Sequence, residues 1–366
     1  MLNVLQLPGN LSKSNGRMTV LMNVYRQLDK EKIQFDFLAT LTSEENYIDE
    51  ILSLGGRVFF LEETEISIKN VRKSMEKILS ENNYDIVHYH AISEWGISID
   101  IPYRKKIKVI SHSHATKLSD SFLKSFRNRI YTLNTFLFST QFAACSTEAG
   151  DKLFLGHKFY NAPNVVNTKK YKFNLNNRLK YRAEWEVTDD ILVLGNIGRL
   201  AKQKNQIFLL NVLQKILDEG VEAKLVIIGD GSQKEILNNK IKELGLTKNV
   251  VLVGEVSNPN DYYSAMDVFL LPSLFEGLPM VGIEAQANGL PAIFSDTTSK
   301  EVNMFDAKFM SIHQNNVEKW ADQAISLWKK GRDQKSEDHI KAKNFDIITG
   351  TERWAELYSS TLKNKS

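Results

Sequence analysis

Short apolar runs alternate with amphipathic helical patterns along this whole sequence, and that alternation restricts the folds open to it. Asn3–Leu7, Ile33–Leu38, Val58–Leu61, Asp85–His88, Lys108–Ser111 and Phe142–Cys145 read as strands. Helices over Arg17–Leu28 and Val71–Leu79 lie among them, and Ser146-Thr147 caps the start of another. After Asn161–Tyr181, a polar stretch without periodicity that reads as a linker, the pattern restarts. Strands at Ile191–Asn196, Lys224–Ile228, Val250–Val253, Val268–Leu271 and Ala292–Phe294 alternate with helices at Asn205–Leu217, Lys234–Leu244, Pro259–Met266, Met280–Asn288 and Val317–Lys329. Brief apolar strands separated by helices require parallel sheets covered on both faces. A length of 366 residues suits about two domains of 100–200 residues. The expected architecture is α/β: two doubly wound domains facing a central cleft, with ligands beyond the carboxyl ends of the strands.

Composition narrows the functional classes. Apolar and charged fractions of 42% and 25% are those of an ordinary globular protein, and a net charge of +3 gives no argument for nucleic acid. Cys145 is the only cysteine, which excludes an intrachain disulfide and a thiolate zinc cluster and suits a reducing, cytoplasmic setting. The N-terminus lacks the charged region and apolar core of a signal peptide, and no apolar run approaches the roughly 20 residues that span a bilayer. Between Tyr103 and Tyr131, eight cations (Arg104, Lys105, Lys106, Lys108, Lys117, Lys124, Arg127, Arg129) face one acid, Asp120. Phe122, Leu123, Phe126, Ile130 and Leu133 fall near helical spacing there. Two readings stand: an amphipathic helix lying on an anionic membrane surface, or a helix packed on its own domain with a solvated cationic face.

Pro272–Gly289 carries the most chemistry. It runs from a buried strand through a Gly/Pro loop into a helix, with Glu276 on the loop and Glu284 inside the helix. The helix N-terminus offers unpaired N–H groups, suited to an anionic ligand, and the carboxylates can accept hydrogen bonds from sugar or ribose hydroxyls. Gly198-Arg199-Leu200 with Lys204 ends the first strand of the second half; a guanidinium fork and a compact ammonium together suit a diphosphate, or are two surface cations near a strand end. Gly229-Asp230-Gly231 is a tight turn permitting close backbone approach, or an ordinary strand–helix turn. The Asn10–Arg17 loop, with Gly16, is polar but lacks the dinucleotide fingerprint. His88 and His90, and likewise His112 and His114, sit two apart at strand ends, so each pair shares a face. A metal would need further ligands, and the nearest acid, Glu94, is not well placed. His88 and His112 read as core histidines, His114 as a substrate contact. The absence of Asp-x-Asp argues against a magnesium ion held on a nucleotide diphosphate.

Taken together these motifs resemble the retaining, nucleotide-sugar-dependent glycosyltransferases of family 4, over nearly the whole length and most closely from Gly195 to Asp296. The resemblance rests on Gly198-Arg199-Leu200 with Lys204, Gly229-Asp230-Gly231, Gly254, and Glu276-Gly277-Leu278-Pro279 with Glu284. Asn23–Asp29, Ile33–Phe37 and Ser111–His114 are similar to bacterial capsule and exopolysaccharide enzymes. It implies the GT-B fold: an acceptor-binding Rossmann-like domain over 1–165, a nucleotide-sugar domain over 166–346, and a helix at about 347–366 packing back onto the first. It further implies a UDP-sugar donor, a glycan or lipid-linked acceptor, no metal or cofactor, and an enzyme that is cytoplasmic or peripheral on the inner face of the membrane. Arg199 and Lys204 would hold the diphosphate and Glu284 the ribose. Glu276 and the backbone of Gly277, Leu278, Pro279 and Met280 would hold the donor sugar, while Gly229, Asp230, Gly231, Val253 and Gly254 would frame the base. Gly16 would approach the phosphates, and His114 or His112 would lie near the sugar. The sequence departs from the family where Asn15-Gly16 replaces Gly-Gly and where Pro163–Asn167 reads Pro-Asn-Val-Val-Asn. Rival readings are a UDP-sugar epimerase, a glycan phosphorylase, or a non-catalytic glycan-binding subunit; a nicotinamide dehydrogenase lacks its glycine fingerprint.

Overall fold

The computed structural model describes residues 1–13, 15–40, 44–61, 67–90, 95–114, 128, 132–256 and 258–364. They form two compact units, Met1–Val165 with Ile347–Ser366, and Val166–Asp346.

In the first unit the strands are β1 (Leu2–Gly9), β2 (Ile33–Ala39), β3 (Val58–Phe60), β4 (Ile86–Tyr89), β5 (Lys108–Ser113), β6 (Gln141–Ala144) and β7 (Tyr160–Asn161). They build one sheet in the order β3-β2-β1-β4-β5-β6-β7, with every pair parallel. β4 is buried at every position, as expected of a strand covered on both faces. The Gly16–Gln27 helix is capped by the Asn15 side chain, which accepts from the Arg17 N–H. Leu5, Leu7, Val71, Met75, Val87, Tyr89, Trp95 and Val109 make the core on one face. The Ile347–Lys363 helix completes the unit: Trp354 donates from its indole to the Pro163 carbonyl at 3.0 Å, and Tyr358 packs edge-on against Phe35.

The second unit holds β8 (Leu192–Ile197), β9 (Ala223–Ile228), β10 (Val250–Gly254), β11 (Val268–Leu271), β12 (Ala292–Ser295) and β13 (Lys308–Met310). Their order is β10-β9-β8-β11-β12-β13, again all parallel. The reversal of strand order at β8/β11 is where a doubly wound sheet leaves a ligand crevice at the carboxyl ends. The Gln206–Asp218 and Val317–Lys330 helices pack on it through Phe208, Leu209, Leu213, Trp320 and Ala324.

Two expectations give way here. The supposed linker Asn161–Tyr181 holds the helix Thr168–Tyr171 and most of a second, Leu175–Glu184. Each is capped by an asparagine, Asn167 and Asn174, and the second is anchored by ion pairs rather than an apolar stripe: Arg178 and Arg182 each reach Asp267 at 3.0 Å. The expected helix Pro259–Met266 is two short 3₁₀ turns, Pro259–Asp261 and Tyr263–Ala265. There the Asp261 carboxylate accepts from the side chains of Asn258, Asn260 and Asn177, local bonds that compete with a regular helix.

Candidate active site

In the second unit the glycine-bearing loops converge at the carboxyl ends of neighbouring strands. The Gly198 and Leu200 N–H groups donate to the Ile228 and Asp230 carbonyls, both at 2.9 Å, and the Gly229 N–H donates to the Gly254 carbonyl at 2.7 Å. Gly229 has φ +137°, and a Cβ there would lie 2.2 Å from the Gly198 carbonyl oxygen; at Gly231 it would meet the Leu200 carbonyl at 2.4 Å. The two turns are therefore in backbone contact, and only glycine permits it. Asp230 turns outward, its carboxyl held below the usual carboxylate range first by Lys234 at 2.6 Å and then by the Gly231 N–H.

The loop after β11 joins this edge from the other side. The Leu274 N–H donates to the Gln203 carbonyl at 2.8 Å, and the Gln203 side chain to the Phe275 carbonyl at 3.0 Å. Across that seam the Lys204 ammonium donates to Glu276 at 2.5 Å, both side chains being mostly buried. Arg199 is exposed and, among the described residues, has no side-chain partner. Leu278 is buried and Pro279 takes the N-cap position of the Met280–Ala287 helix without a side-chain capping bond, which leaves the first N–H groups of that helix available. Gly282 lets this helix lie close on Phe294 and Val302. Glu284, on its buried face, accepts from the Tyr263 hydroxyl at 2.9 Å; burial raises its pKa, opposed by the Tyr263 and Tyr171 hydroxyls. Tyr263 is a site neighbour that sequence reasoning missed, because it lies in the 3₁₀ segment read as an ordinary helix.

The first unit gathers the remaining candidates. Gly16 is the first residue of its helix, with open space where a Cβ would project. The next residue, Arg17, donates to the His90 carbonyl at 3.3 Å. The four histidines form one cluster: His88 Nε2 lies 3.2 Å from His112 Nδ1, and His90 Nδ1 lies 2.8 Å from His114 Nε2. His112 has no exposed surface, whereas His114 is partly exposed, so of the two only His114 can meet a ligand without rearrangement. Donor nitrogens of His88, His90 and His112 lie within 4.8 Å of one another. Glu94, and residues 115–127 and 129–131 of the basic-aromatic stretch, lie outside the described residues.

The family model "Glycosyl transferases group 1" matches residues 177–344, which takes in the converging loops of the second unit. The putative glycosyltransferase EpsF of Bacillus subtilis (strain 168) is 30% identical over 301 residues, 79% of this chain and 78% of EpsF. This chain belongs to the group 1 glycosyltransferases. It is a retaining, metal-independent glycosyltransferase, as its family is. The capsular polysaccharide biosynthesis glycosyltransferase CapH of Staphylococcus aureus is 26% identical over 98% of this chain and 99% of its own. An Escherichia coli UDP-Gal:alpha-D-GlcNAc-diphosphoundecaprenol alpha-1,3-galactosyltransferase is 26% identical over 96% of this chain and 95% of its own. Anabaena HepE, solved in complex with UDP and glucose, superposes with a TM-score of 0.80 at 15% identity, covering 98% of this chain and 100% of that one. The fold of this glycosyltransferase is thus GT-B. No helix of the described residues is long and apolar enough to cross a membrane.

Proposed function

We propose that this glycosyltransferase moves a hexosyl unit from a UDP-sugar to a hydroxyl of a glycan or lipid-linked acceptor in the synthesis of a cell-surface polysaccharide. The observation that carries the reading is the strand-end edge of the second unit. It sets an unpartnered Arg199, the Lys204–Glu276 pair and an uncapped helix N-terminus on adjoining loops. The slow step in such a transfer is departure of the nucleoside diphosphate as positive charge builds on the sugar ring. Cations fixed where the leaving group gains negative charge stabilise that state more than the ground state. Arg199 supplies the planar fork and Lys204 the point charge; a diphosphate would draw Lys204 from Glu276, freeing that carboxylate to accept hydroxyls of the donor sugar. Glu284, oriented by Tyr263, would accept the ribose hydroxyls. The backbone of Gly277–Met280 would hold the sugar, and the Gly229–Gly231 and Val253-Gly254 backbone would frame the base. Gly16 and His114, in the first unit, are assigned to the phosphates and the sugar. Among the described residues no carboxylate stands as an obvious nucleophile, so substitution on one face of the sugar is favoured over a covalent intermediate.

The relatives support the substrate classes: CapH is named for capsular polysaccharide biosynthesis, and the E. coli enzyme for a UDP-galactose donor and a diphosphoundecaprenol-linked acceptor. A lipid-linked acceptor would also give the basic 103–131 stretch a use against an anionic bilayer; its Arg104 and Lys105 line a groove with Arg72, Lys73, Glu76 and Lys77, in which Arg72 and Arg104 are paired with Asp100. The test is transfer from a panel of UDP-sugars to undecaprenyl-diphosphate-linked saccharides. Retained anomeric configuration in the product is expected; epimerised UDP-sugar without transfer would refute the reading.

A further inference from the structure

Hydroxyls, rather than a cation, hold Glu284 in place. Its carboxylate accepts from the Tyr263 hydroxyl at 2.9 Å, the Tyr171 hydroxyl bonds the same group, and no ion pair reaches it among the described residues. Glu284 and Tyr171 are each 6% exposed, and Tyr263 has no exposed surface. An ionised carboxylate offers about four lone-pair positions, so two tyrosine donors leave about two open for the hydroxyls of a ligand. Where those two point depends on where the tyrosines stand.

Neither tyrosine shares the Met280–Ala287 helix with Glu284. Tyr171 ends the Thr168–Tyr171 helix, Tyr263 opens the Tyr263–Ala265 3₁₀ turn, and their rings meet edge-on at 5.9 Å. A 3₁₀ turn has poorer hydrogen-bond geometry than an α-helix, so a single turn depends on support from outside it. Two side chains supply that support. Arg332 Nη2 donates to the carbonyls of Tyr263 and Ser264, both at 3.0 Å, and to that of Met266. Arg332 Nη1 donates to the Asn288 backbone carbonyl at 3.4 Å and to the Asn288 side-chain oxygen. Asn288 is the C-cap of the Glu284 helix; its Nδ2 donates to the Tyr171 carbonyl at 2.7 Å and to the Ser264 hydroxyl at 3.2 Å. One guanidinium and one carboxamide therefore join the backbones that carry Glu284, Tyr263 and Tyr171. All of these residues belong to the second unit.

The local backbone brings Arg332 to this position. Gly289 has φ +77°, and a Cβ on it would lie 2.3 Å from the Asp333 carbonyl oxygen. The Asp333 N–H donates to the Gly289 carbonyl at 2.9 Å. Glycine thus lets the segment after the Val317–Lys330 helix lie against the end of the Glu284 helix. The guanidinium also sits over the Phe173 ring, 4.9 Å from its centroid. A lysine at 332 would keep the charge but lose the planar fork that spans several carbonyls. Arg332 and Asn288 line an open groove with Arg178, Asp267 and Trp328.

We propose that Arg332 and Asn288 are positioning residues for nucleotide recognition: they fix the Tyr263 turn against the Glu284 helix and so aim the open positions of the Glu284 carboxylate at the ribose hydroxyls. Preference for a ribonucleotide is then set partly by side chains outside the donor contacts assigned above. The proposal rests on the reading of Glu284 as the ribose acceptor. The alternative is that the clamp only stabilises the second unit, in which case every ligand of that unit is affected alike.

Calorimetric titration of the full chain with UDP and with 2′,3′-dideoxy-UDP separates the two. Wild type is expected to bind UDP roughly 10- to 100-fold more tightly, the worth of hydrogen bonds to a carboxylate. Tyr263→Phe keeps the ring and removes the donor. It should reduce that preference by about threefold to tenfold through weaker UDP binding, with the dideoxy affinity within about twofold. Arg332→Lys should do the same. The double variant should lose little beyond either single one, because both changes act on one carboxylate through one turn. Asn288→Asp keeps an acceptor for Arg332 and deletes both donors, and it carries the test if Arg332→Lys does not fold. An unchanged preference in the folded Arg332 and Asn288 variants, with both nucleotides weakened in parallel, would overturn the proposal. So would losses that add in full when Arg332→Lys is combined with Tyr263→Phe. Equal binding of the two nucleotides by wild type would instead remove the ribose contact of Glu284 on which the proposal rests.

Discussion

Removing Arg199 and removing Lys204 should have similar effects on turnover and different effects on stability, because one cation stands free and the other is paired. Arg199 is exposed and has no side-chain partner among the described residues, so Arg199→Ala deletes nothing the folded chain relies on. A surface change of this kind costs within about 0.5 kcal/mol, a shift of roughly 1–2 °C in Tm for a domain of this size. Lys204 is bonded to Glu276 at 2.5 Å, with side-chain exposures of 18% and 11%. Lys204→Met leaves that carboxylate largely desolvated and unpaired. The cost lies between that of an exposed pair, about 0–1 kcal/mol, and a fully buried one, about 3–5 kcal/mol, hence roughly 1–3 kcal/mol and a Tm lower by about 2–12 °C. For catalysis each change removes one preorganised charge from the leaving group, worth on the order of 10²–10³ in kcat. Calorimetry and a coupled UDP-release assay on both variants give the pair of numbers needed. Near wild-type turnover by Arg199→Ala, or a larger loss of Tm for Arg199→Ala than for Lys204→Met, would refute the reasoning.

Gly229→Ala places a Cβ 2.2 Å from the Gly198 carbonyl oxygen at φ +137°, so the two loops must part by about 1 Å and the backbone is strained by roughly 1–3 kcal/mol. A shift of that size next to Arg199 should cost about 10²-fold in kcat/KM, measured with the UDP-sugar varied. Glu284 has its pKa raised by burial from the ordinary 4.5, so in acid the folded state binds the proton more tightly, and that advantage is lost as pH rises. Glu284→Gln should therefore raise Tm at pH 7–8, with the gain vanishing below about pH 4.5, while weakening donor binding in a UDP titration. The four clustered histidines are held neutral below the ordinary 6.5, His112 down to about 3, so their contribution is intact above pH 6.5 and lost as pH falls toward the folded values. Each can cost up to about 1.4 kcal/mol per pH unit, and thermal scans from pH 8 to 5 should show a drop that His88→Asn makes shallower.

Much of this was legible because strands and helices write their period into the chain. Val268–Leu271 and the helices at Met280 and Val317 begin where the sequence places them, since apolar burial alone decides those segments. The Leu175–Glu184 helix was not legible, because what holds it is a pair of arginines on Asp267, far away in sequence, and no local pattern encodes a partner. The three-residue β13 at the sheet edge is too short to show alternation. At the site, residue types announced themselves but pairings did not. Nothing around Lys204 names Glu276 as its counter-ion, or around Glu284 names Tyr263. The histidines were visible as two pairs on two strands; that parallel pairing of β4 with β5 merges them into one cluster is a property of the sheet, not of either strand.

The Ile347–Lys363 helix belongs to the first unit although Val166–Asp346 comes between them in the chain. A ribosome adding 5–20 residues per second therefore holds the first unit incomplete for on the order of 10–40 s after its last strand emerges. Throughout that interval the surface later covered by Trp354 and Tyr358 stays open to solvent, while the second unit, contiguous in sequence, is free to close. The nascent enzyme thus has its proposed nucleotide end assembled before its histidine end. A fragment stopped after Asp346 would present a chaperone with a sheet whose covering helix had never been made.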